Sequence, residues 1–134
     1  MPAPRRKRAP ARRPAIGCGV DIVELARFRK AVRRGGEAFI QRVFTPDEIA
    51  YARARKRTTL QHLAGRFAAK EAVIKALSQL HGRAAPAMNR IEIRNDRLGR
   101  PRIVLRGWRG RPLQIHISLS HVESVAVASA FITG

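Results

Sequence analysis

The sequence is poor in cysteine and in acidic residues. Cys18 is the only cysteine among 134 residues, so the chain can have no intrachain disulfide and no zinc site built from several cysteines. Asp and Glu number 9 against 28 Lys and Arg, which gives a net charge of +19. Such an excess of positive charge predicts an acidic partner, which could be nucleic acid, an anionic membrane or an acidic protein.

Long apolar runs are also missing. No segment approaches the about 20 apolar residues of a membrane-spanning helix, and none has the apolar core of a signal peptide. We therefore expect a cytoplasmic protein that does not enter a membrane, and the single cysteine fits a reducing compartment. Residues 1–15 contain six basic residues and no acid, with several prolines, so we expect a disordered basic arm before one domain of residues 16–134.

Hydrophobic patterning predicts helices in the first part of this domain. The run AIGCGVDIVEL predicts a short buried strand that ends near Asp21, and helical spacing follows as far as Gly35-Gly36. Thr45-Pro46-Asp47-Glu48 combines an N-cap hydroxyl, a first-turn proline and a glutamate three residues after the cap, which is typical of a helix start. That helix is predicted to reach about Arg57. A longer one is predicted from about Thr59 to Leu80, ended by His81-Gly82.

Strand patterns dominate from Asn89 onward. They are NRIEIR, RIVL, QIHISLS and SVAVASAFI, with NDRLGRP as a turn between the first two. In the third pattern Ile115, Ile117 and Leu119 share one face. Residues 125–132 are apolar on both faces, which predicts a central strand. Together these patterns predict an α+β single domain in which an antiparallel sheet packs against the long helix.

The long helix carries Lys70, Glu71 and Lys75 among apolar residues. At 100° per residue, Glu71 lies about 40° from Phe67, at the rim of the apolar face, and Lys75 lies about 80° from it. Spacing alone favours a surface ion pair between Glu71 and Lys75. The alternative is that Glu71 and Asp21 converge on a cation, for which two carboxylates indicate Mg²⁺. Lys70 has no assignment.

The chain resembles the phosphopantetheinyl transferase family, specifically its small bacterial holo-acyl-carrier-protein synthases. Five segments carry the resemblance in the family's order: GCGVDIVELARF at 17–28, FTPDE at 44–48, GRFAAKEAVIKAL at 65–77, EIRNDRLGRP at 92–101 and HISLSH at 116–121. The resemblance implies the 4′-phosphopantetheinyl transferase fold. It also implies transfer of 4′-phosphopantetheine from coenzyme A to a serine of apo acyl carrier protein, with adenosine 3′,5′-bisphosphate as by-product, Mg²⁺ as cofactor and fatty acid biosynthesis as the purpose.

The same resemblance implies roles for individual residues. Asp21 and Glu71 match the metal-binding acids, and Glu71 and Lys75 match the catalytic positions, with Lys75 beside the coenzyme A phosphates. Arg27 matches a basic position that docks the acidic carrier protein. The further positions that match the coenzyme A site are Arg66, Gly99, Arg100, Pro101, Ser120 and His121. The family forms homotrimers with sites between neighbouring subunits, and we expect the same here. Whether Glu71 or a water accepts the serine proton stays open.

Two segments depart from the family pattern: SQLHGRAAPAMN stands where a Gly-rich turn is usual, and GRP replaces the commoner GKP. The alternative function is a nucleic-acid-binding module, which the charge and the arm suggest. The chain has no motif for reading nucleic acid and few aromatic residues, namely five Phe, one Tyr and one Trp. An acid at position 71 would not help to bind nucleic acid, so the enzyme is the better prediction.

Overall fold

The computed structural model describes residues 15–80 and 85–134. The predicted basic arm, apart from Ala15, and the predicted helix stop at His81-Gly82 lie outside these ranges. The helices are α1 (Leu25–Val43), α2 (Pro46–Arg53) and α3 (Thr59–Leu80), with short 3₁₀ turns at Lys56–Thr58 and Met88–Arg90. The strands are β1 (Ile16–Glu24), β2 (Ile91–Asn95), β3 (Pro101–Leu105), β4 (Gln114–His121) and β5 (Val125–Thr133).

The strands form two antiparallel sheets. One has the order β1-β5-β4, and the other is the hairpin of β2 and β3. β5 is the central strand, as predicted, and its residues Ala126, Ala128, Ala130 and Ile132 are buried against α3 and the core. Alternate residues of β4 are more buried, as the period-two pattern predicted. The predicted α+β fold with an antiparallel sheet against a long helix is confirmed, with the hairpin as a separate sheet.

The close approach of β1 to α3 depends on two glycines. A Cβ on Gly19 would lie 2.0 Å from the carbonyl oxygen of Ala72, and a Cβ on Gly17 would lie 2.2 Å from that of Ala76. Both distances are far inside van der Waals contact, so only glycine allows the strand to lie this close to the helix. Asp21 is on the same strand face as these glycines, because alternate residues share a face. The packing therefore points Asp21 toward α3.

The prediction that a buried strand ends near Asp21 was wrong. β1 continues to Glu24 and pairs with β5 along its whole length, from Ile16 opposite Thr133 to Glu24 opposite Val125. It is an edge strand with one covered face and one exposed face, on which Val20 and Ile22 are 57% and 67% exposed. The period of a short apolar run does not distinguish a buried strand from an edge strand. The length of β1 is therefore set by its pairing with β5.

The helix ends also differ in part from the predictions. α1 does not stop at Gly35-Gly36: it kinks at Gly36, whose φ of 56° is non-helical, and resumes as far as Val43. α2 ends at Arg53, before the predicted Arg57, and a 3₁₀ turn leads into α3. The predicted start of α2 is correct, because Thr45 and Glu48 form a capping box. None of the described helices combines the length and hydropathy needed to cross a membrane.

Lys70 has a structural role. Its side chain is completely buried, and Nζ donates to Glu48 Oε1 at 2.7 Å and to the carbonyl oxygens of Val43 at 2.6 Å and Met88 at 3.0 Å. Glu48 in turn accepts from the backbone N–H of Ile93 at 3.3 Å. The buried pair thus joins α3 to the end of α1, the start of α2 and the first residues of the hairpin.

Candidate active site

β1 and α3 bring Asp21, Glu71 and Lys75 together. Lys75 Nζ donates to Asp21 Oδ1 at 3.0 Å and to the carbonyl oxygen of Val20 at 2.9 Å. Among the ion pairs of the described residues, Lys75 pairs with Asp21 and none contains Glu71. The surface pair between Glu71 and Lys75 that the spacing favoured is therefore absent from this part of the chain.

The two acids interact electrostatically. Burial raises the pKa of Glu71, the negative charge of Asp21 raises it further, and Lys75 lowers it. Both neighbours are therefore close enough to act on Glu71, and the one positive charge of Lys75 is less than the charge of two ionised carboxylates. A further cation between the acids would relieve this repulsion.

A cleft of about 510 Å³ opens beside the acids, between β1, α1 and α3. Asp21, Glu71 and Arg27 line it together with the rings of Phe28 and Phe67, whose centroids lie 5.6 Å apart. We call this the acid cleft. Arg27 therefore shares a surface depression with both acids, and its side chain is accessible to a partner.

The donor set of the acid cleft fits Mg²⁺. Asp21 and Glu71 offer hard carboxylate oxygens, which Mg²⁺ prefers. Within residues 15–80 and 85–134 there is no group of three or more His, Cys, Asp or Glu residues that could hold a metal ion. A divalent ion here would take its remaining ligands from water and from the phosphates of a bound molecule, which is the usual arrangement for Mg²⁺.

A second cleft, of about 190 Å³, lies on another side of α3. Five predicted coenzyme A residues line it: Arg66, Gly99, Pro101, Ser120 and His121. We call it the Arg66 cleft. The sixth, Arg100, is not among its lining residues, and its side chain donates to Asp96 Oδ2 at 2.8 Å. This volume is below the about 300–1,000 Å³ of complete small-molecule sites, so the cleft can hold only part of a large ligand.

Asp96 fixes the turn that supplies Gly99 and Pro101 to this cleft. Its Oδ1 accepts from the backbone N–H groups of Leu98 at 2.8 Å and Arg100 at 2.9 Å. The hydrogen bond from the Arg100 backbone has the largest effect on Asp96, and together these bonds lower its pKa to about 2. Gly99 has a φ of 76°, which favours glycine. The turn predicted from NDRLGRP is therefore present.

Seven lining residues of the Arg66 cleft were not predicted as site residues, and three of them, Tyr51, His62 and Asn95, have polar or aromatic side chains that contact one another or His121. The ring of His62 lies 5.5 Å from that of Tyr51 and 6.3 Å from that of His121, centroid to centroid. Burial lowers the pKa of His62, and the charge of Arg66 lowers it further, so the neutral imidazole is favoured. The sequence contained one signal for Tyr51: it is the only tyrosine and lies one helical turn before Arg55, a spacing that brings an aromatic ring next to a cation.

The predicted site residues thus fall into two groups within one chain. Asp21, Arg27 and Glu71 line the acid cleft, and Lys75 pairs with Asp21 beside it without lining it. The further predicted coenzyme A residues, apart from Arg100, line the Arg66 cleft. The two clefts share no lining residue. Arg66 and Glu71 are five residues apart on α3, which corresponds to about 140° of rotation, so they face different sides of the helix.

Comparison with known proteins identifies the family. The model of the 4′-phosphopantetheinyl transferase superfamily matches residues 17–131. The chain belongs to this superfamily. The match covers both clefts, and the resemblance inferred from the five sequence segments is confirmed.

Curated members of the superfamily are similar over most of their length. The holo-[acyl-carrier-protein] synthase of Geotalea daltonii is 43% identical over 118 residues, which cover 84% of this chain and 93% of the relative. The protein of the same name from Ruminiclostridium cellulolyticum is 42% identical over 121 residues, covering 86% of this chain and 90% of the relative. The predicted enzyme class, a phosphopantetheinyl transferase, is confirmed by these matches.

Solved structures of the superfamily share the fold. The Chronobacterium ammoniagenes ACPS-CoA complex aligns with a TM-score of 0.77 and 33% identity, covering 89% of this chain and 97% of that one. The Bacillus anthracis holo-(acyl-carrier-protein) synthase in complex with CoA (3′,5′-ADP) aligns with a TM-score of 0.73 and 32% identity, covering 90% and 99%. Those two proteins bind coenzyme A or part of it.

Proposed function

We propose that this transferase moves the 4′-phosphopantetheine group of coenzyme A to a serine hydroxyl of an apo acyl carrier protein. The products are holo acyl carrier protein and adenosine 3′,5′-bisphosphate. The observation that carries the proposal is the convergence of Asp21, Glu71 and Lys75 beside an open cleft, in a chain of this superfamily. The relatives named above as holo-[acyl-carrier-protein] synthases support the choice of acceptor.

The residues of the acid cleft and the neighbouring Lys75 divide the chemistry between them. In the transfer a bond forms between the serine oxygen and phosphorus, and the bond from that phosphorus to the leaving adenosine bisphosphate breaks. The hydroxyl proton goes to Glu71, directly or through a water, because Glu71 is a carboxylate that lines the cleft beside Asp21. Lys75 offers a cation to the phosphates. Mg²⁺ held by Asp21 and Glu71 would neutralise the negative charge of the diphosphate.

Carrier recognition involves the basic surface. Arg27 is exposed and lines the acid cleft, so an acidic carrier protein bound there would lie next to the reacting groups. The net charge of +19 would attract such a partner over a distance, in a way that salt weakens. A cytoplasmic location, a role in fatty acid biosynthesis and the division into an arm of residues 1–15 and a domain of residues 16–134 belong to the same proposal.

The proposal includes a homotrimer with its sites between subunits. The sheet face opposite α3 exposes Ile16, Val20, Ile22 and Phe131, which are 63%, 57%, 67% and 55% exposed. An apolar patch of this kind is typical of a subunit interface. The Arg66 cleft is too small for a whole coenzyme A, and it is separate from the acid cleft of its own chain. A neighbouring subunit would supply the missing part of each site.

The test is the reaction itself. The protein is incubated with coenzyme A, Mg²⁺ and an apo acyl carrier protein, and the intact mass of the carrier is measured. We expect the carrier to gain the mass of one phosphopantetheine group, and a carrier with its acceptor serine changed to alanine should gain none. An unchanged mass of the unmodified carrier at every Mg²⁺ concentration would count against the proposed function.

A further inference from the structure

Arg66 is a buried cation without an acidic partner. The residue is 6% exposed, its Nε has no hydrogen-bond partner among the described residues, and no ion pair of those residues contains it. Glu48 is near enough to act on Arg66 electrostatically, but that carboxylate already pairs with Lys70. Because an unpaired buried charge is costly, an anionic ligand is the natural partner of Arg66 in the cleft that it lines.

Tyr51 is the residue that packs directly on this cation. The Cζ atom of Arg66 lies 4.2 Å from the centroid of the Tyr51 ring, within cation–π range. The Cζ atom of Arg55 lies 3.5 Å from the same centroid, and its side chain also donates to the Tyr51 carbonyl oxygen at 2.9 Å. One aromatic ring therefore carries two guanidinium groups, whose mutual repulsion an anion would relieve.

The ring itself is held from two other directions. The hydroxyl oxygen of Tyr51 accepts a hydrogen bond from Asn95 Nδ2 at 2.9 Å, at the end of β2. The ring of His62, on α3, lies edge-on to it with a 5.5 Å centroid separation. Tyr51 thus connects α2 with α3 and with the strand that leads into the Gly99 turn. Apolar packing would not explain why its neighbours on the ring are cations.

We propose that Tyr51 is a positioning residue, which holds the Arg66 guanidinium in the Arg66 cleft so that it can bind a phosphate group of coenzyme A. Arg55 packs on the same ring and adds positive charge beside that phosphate. The inference rests on the proposed function, because it takes coenzyme A as the ligand. Tyr51 contacts no reacting atom, and its effect is expected in binding.

Two substitutions at position 51 separate the ring from the hydroxyl. Tyr51→Leu removes the cation–π contacts and is expected to raise the KM for coenzyme A about tenfold, with kcat changed less than about twofold. Tyr51→Phe keeps the ring and is expected to raise that KM less than about threefold. The dissociation constant of adenosine 3′,5′-bisphosphate, measured by calorimetry, should follow the KM. Thermal melting checks that both variants are folded.

A double-mutant cycle with Arg66→Gln distinguishes positioning from a general structural role. If Tyr51 acts through Arg66, Tyr51→Leu should add little to the loss of affinity already caused by Arg66→Gln. The inference would be overturned if the affinity losses of the two single variants multiplied fully in the double variant, or if Tyr51→Leu bound the ligand normally. Should Tyr51→Leu fail to fold, Asn95→Ala takes its place in the cycle: it should weaken binding about twofold when Arg66 is present and not otherwise, and any other result counts against positioning.

The outcome also separates this inference from the proposed function. An unmodified protein that neither binds adenosine 3′,5′-bisphosphate nor modifies the carrier would contradict the proposed function. An active unmodified protein with multiplicative losses in the cycle would leave that function intact and remove only the role of Tyr51.

Discussion

At the scale of single residues, three charged side chains within six positions of α3 lie in three different environments. Lys70 is completely buried with Glu48, Glu71 is partly buried at the acid cleft, and Lys75 is half-exposed beside Asp21. Each step along a helix rotates the side chain by 100°, so neighbours such as Lys70 and Glu71 point toward different partners. One motif therefore contains both a structural ion pair and residues of the site.

The substitution Glu71→Gln tests the acid pair through both activity and stability. We expect transfer to fall at least about a hundredfold, because the proton acceptor and a carboxylate ligand are lost. Addition of Mg²⁺ should raise the melting temperature of the unmodified protein and should not raise that of the variant. Glu37→Gln, which changes an exposed acid on α1, is the matched control and should alter neither property. Near-normal transfer by Glu71→Gln would show that the site lies elsewhere.

The raised pKa of Glu71 makes the effect of Glu71→Gln on stability depend on pH in a predictable direction. Because the folded pKa lies above 4.5, the folded protein binds this proton more tightly than the unfolded chain does. Stability is therefore lost as the pH rises through the folded pKa and Glu71 becomes charged. Without divalent ions, Glu71→Gln should melt at a higher temperature than the unmodified protein at pH 7, and the difference should shrink toward pH 4. A lower melting temperature at pH 7 would contradict this.

Lys70→Met tests the buried pair. The substitution leaves the Glu48 carboxylate buried without its cation, so the free energy of unfolding should fall by about 3–5 kcal/mol in denaturant titrations. The double variant Lys70→Met, Glu48→Gln removes both charges and should recover part of this loss. A loss below about 1 kcal/mol for the single variant would mean that the pair contributes little.

At the scale of elements, the packing of β1 on α3 sets the position of Asp21. Gly17 and Gly19 let the strand lie against the backbone of Ala72 and Ala76, and Asp21 follows two residues later on the same face. The long pairing of β1 with β5 holds the strand along its one paired edge. The distance between the two acids thus depends on residues that have no chemical function of their own.

Gly19→Ala is expected to disturb both stability and activity. Its Cβ would lie 2.0 Å from the Ala72 oxygen, so the strand must move away, at a cost of about 1–3 kcal/mol. Asp21 would move with it, and transfer should fall together with stability. The control is Gly65→Ala on α3, whose Cβ would lie at an ordinary 3.5 Å from Leu119 and should leave stability equal or higher. Equal melting temperatures for Gly19→Ala and the unmodified protein would show that the close approach is unimportant.

At the scale of the whole molecule, two surfaces are relevant to assembly. The sheet face with Ile16, Val20, Ile22 and Phe131 is apolar, whereas much of the remaining surface is basic. The first suits a second copy of the chain, and the second suits an acidic carrier protein. The apolar face matters for the proposed site because neither cleft of one chain contains all of the predicted residues, so a second copy must complete it. The basic surface matters because the carrier protein must bind next to that site.

Ile22→Asp tests the apolar face. A carboxylate at the centre of a subunit interface is costly to bury, so sedimentation velocity should show monomers for the variant and trimers for the unmodified protein. Circular dichroism should remain unchanged, because Ile22 is 67% exposed within the single chain. Transfer should be lost with the trimer. A monomeric variant with full activity would contradict sites between subunits.

The sequence by itself determined features that depend on neighbouring residues. The start of α3 at Thr59, the capping box at Thr45 and Glu48 and the alternation in β4 were all predicted correctly, because helix caps and side-chain periods are local properties. The family also followed from the sequence, since five segments in a fixed order carry far more information than any one motif.

Only the tertiary structure decided which charges meet. Lys75 lies one helical turn from Glu71 but pairs with Asp21, which is 54 residues away, and Lys70 pairs with Glu48, 22 residues away. The period of a helix gives the direction of a side chain and carries no information about which distant element is packed there. For the same reason the length of β1, the two separate clefts and the contact of Tyr51 with Arg66 became visible only when α2, α3 and the sheets were assembled.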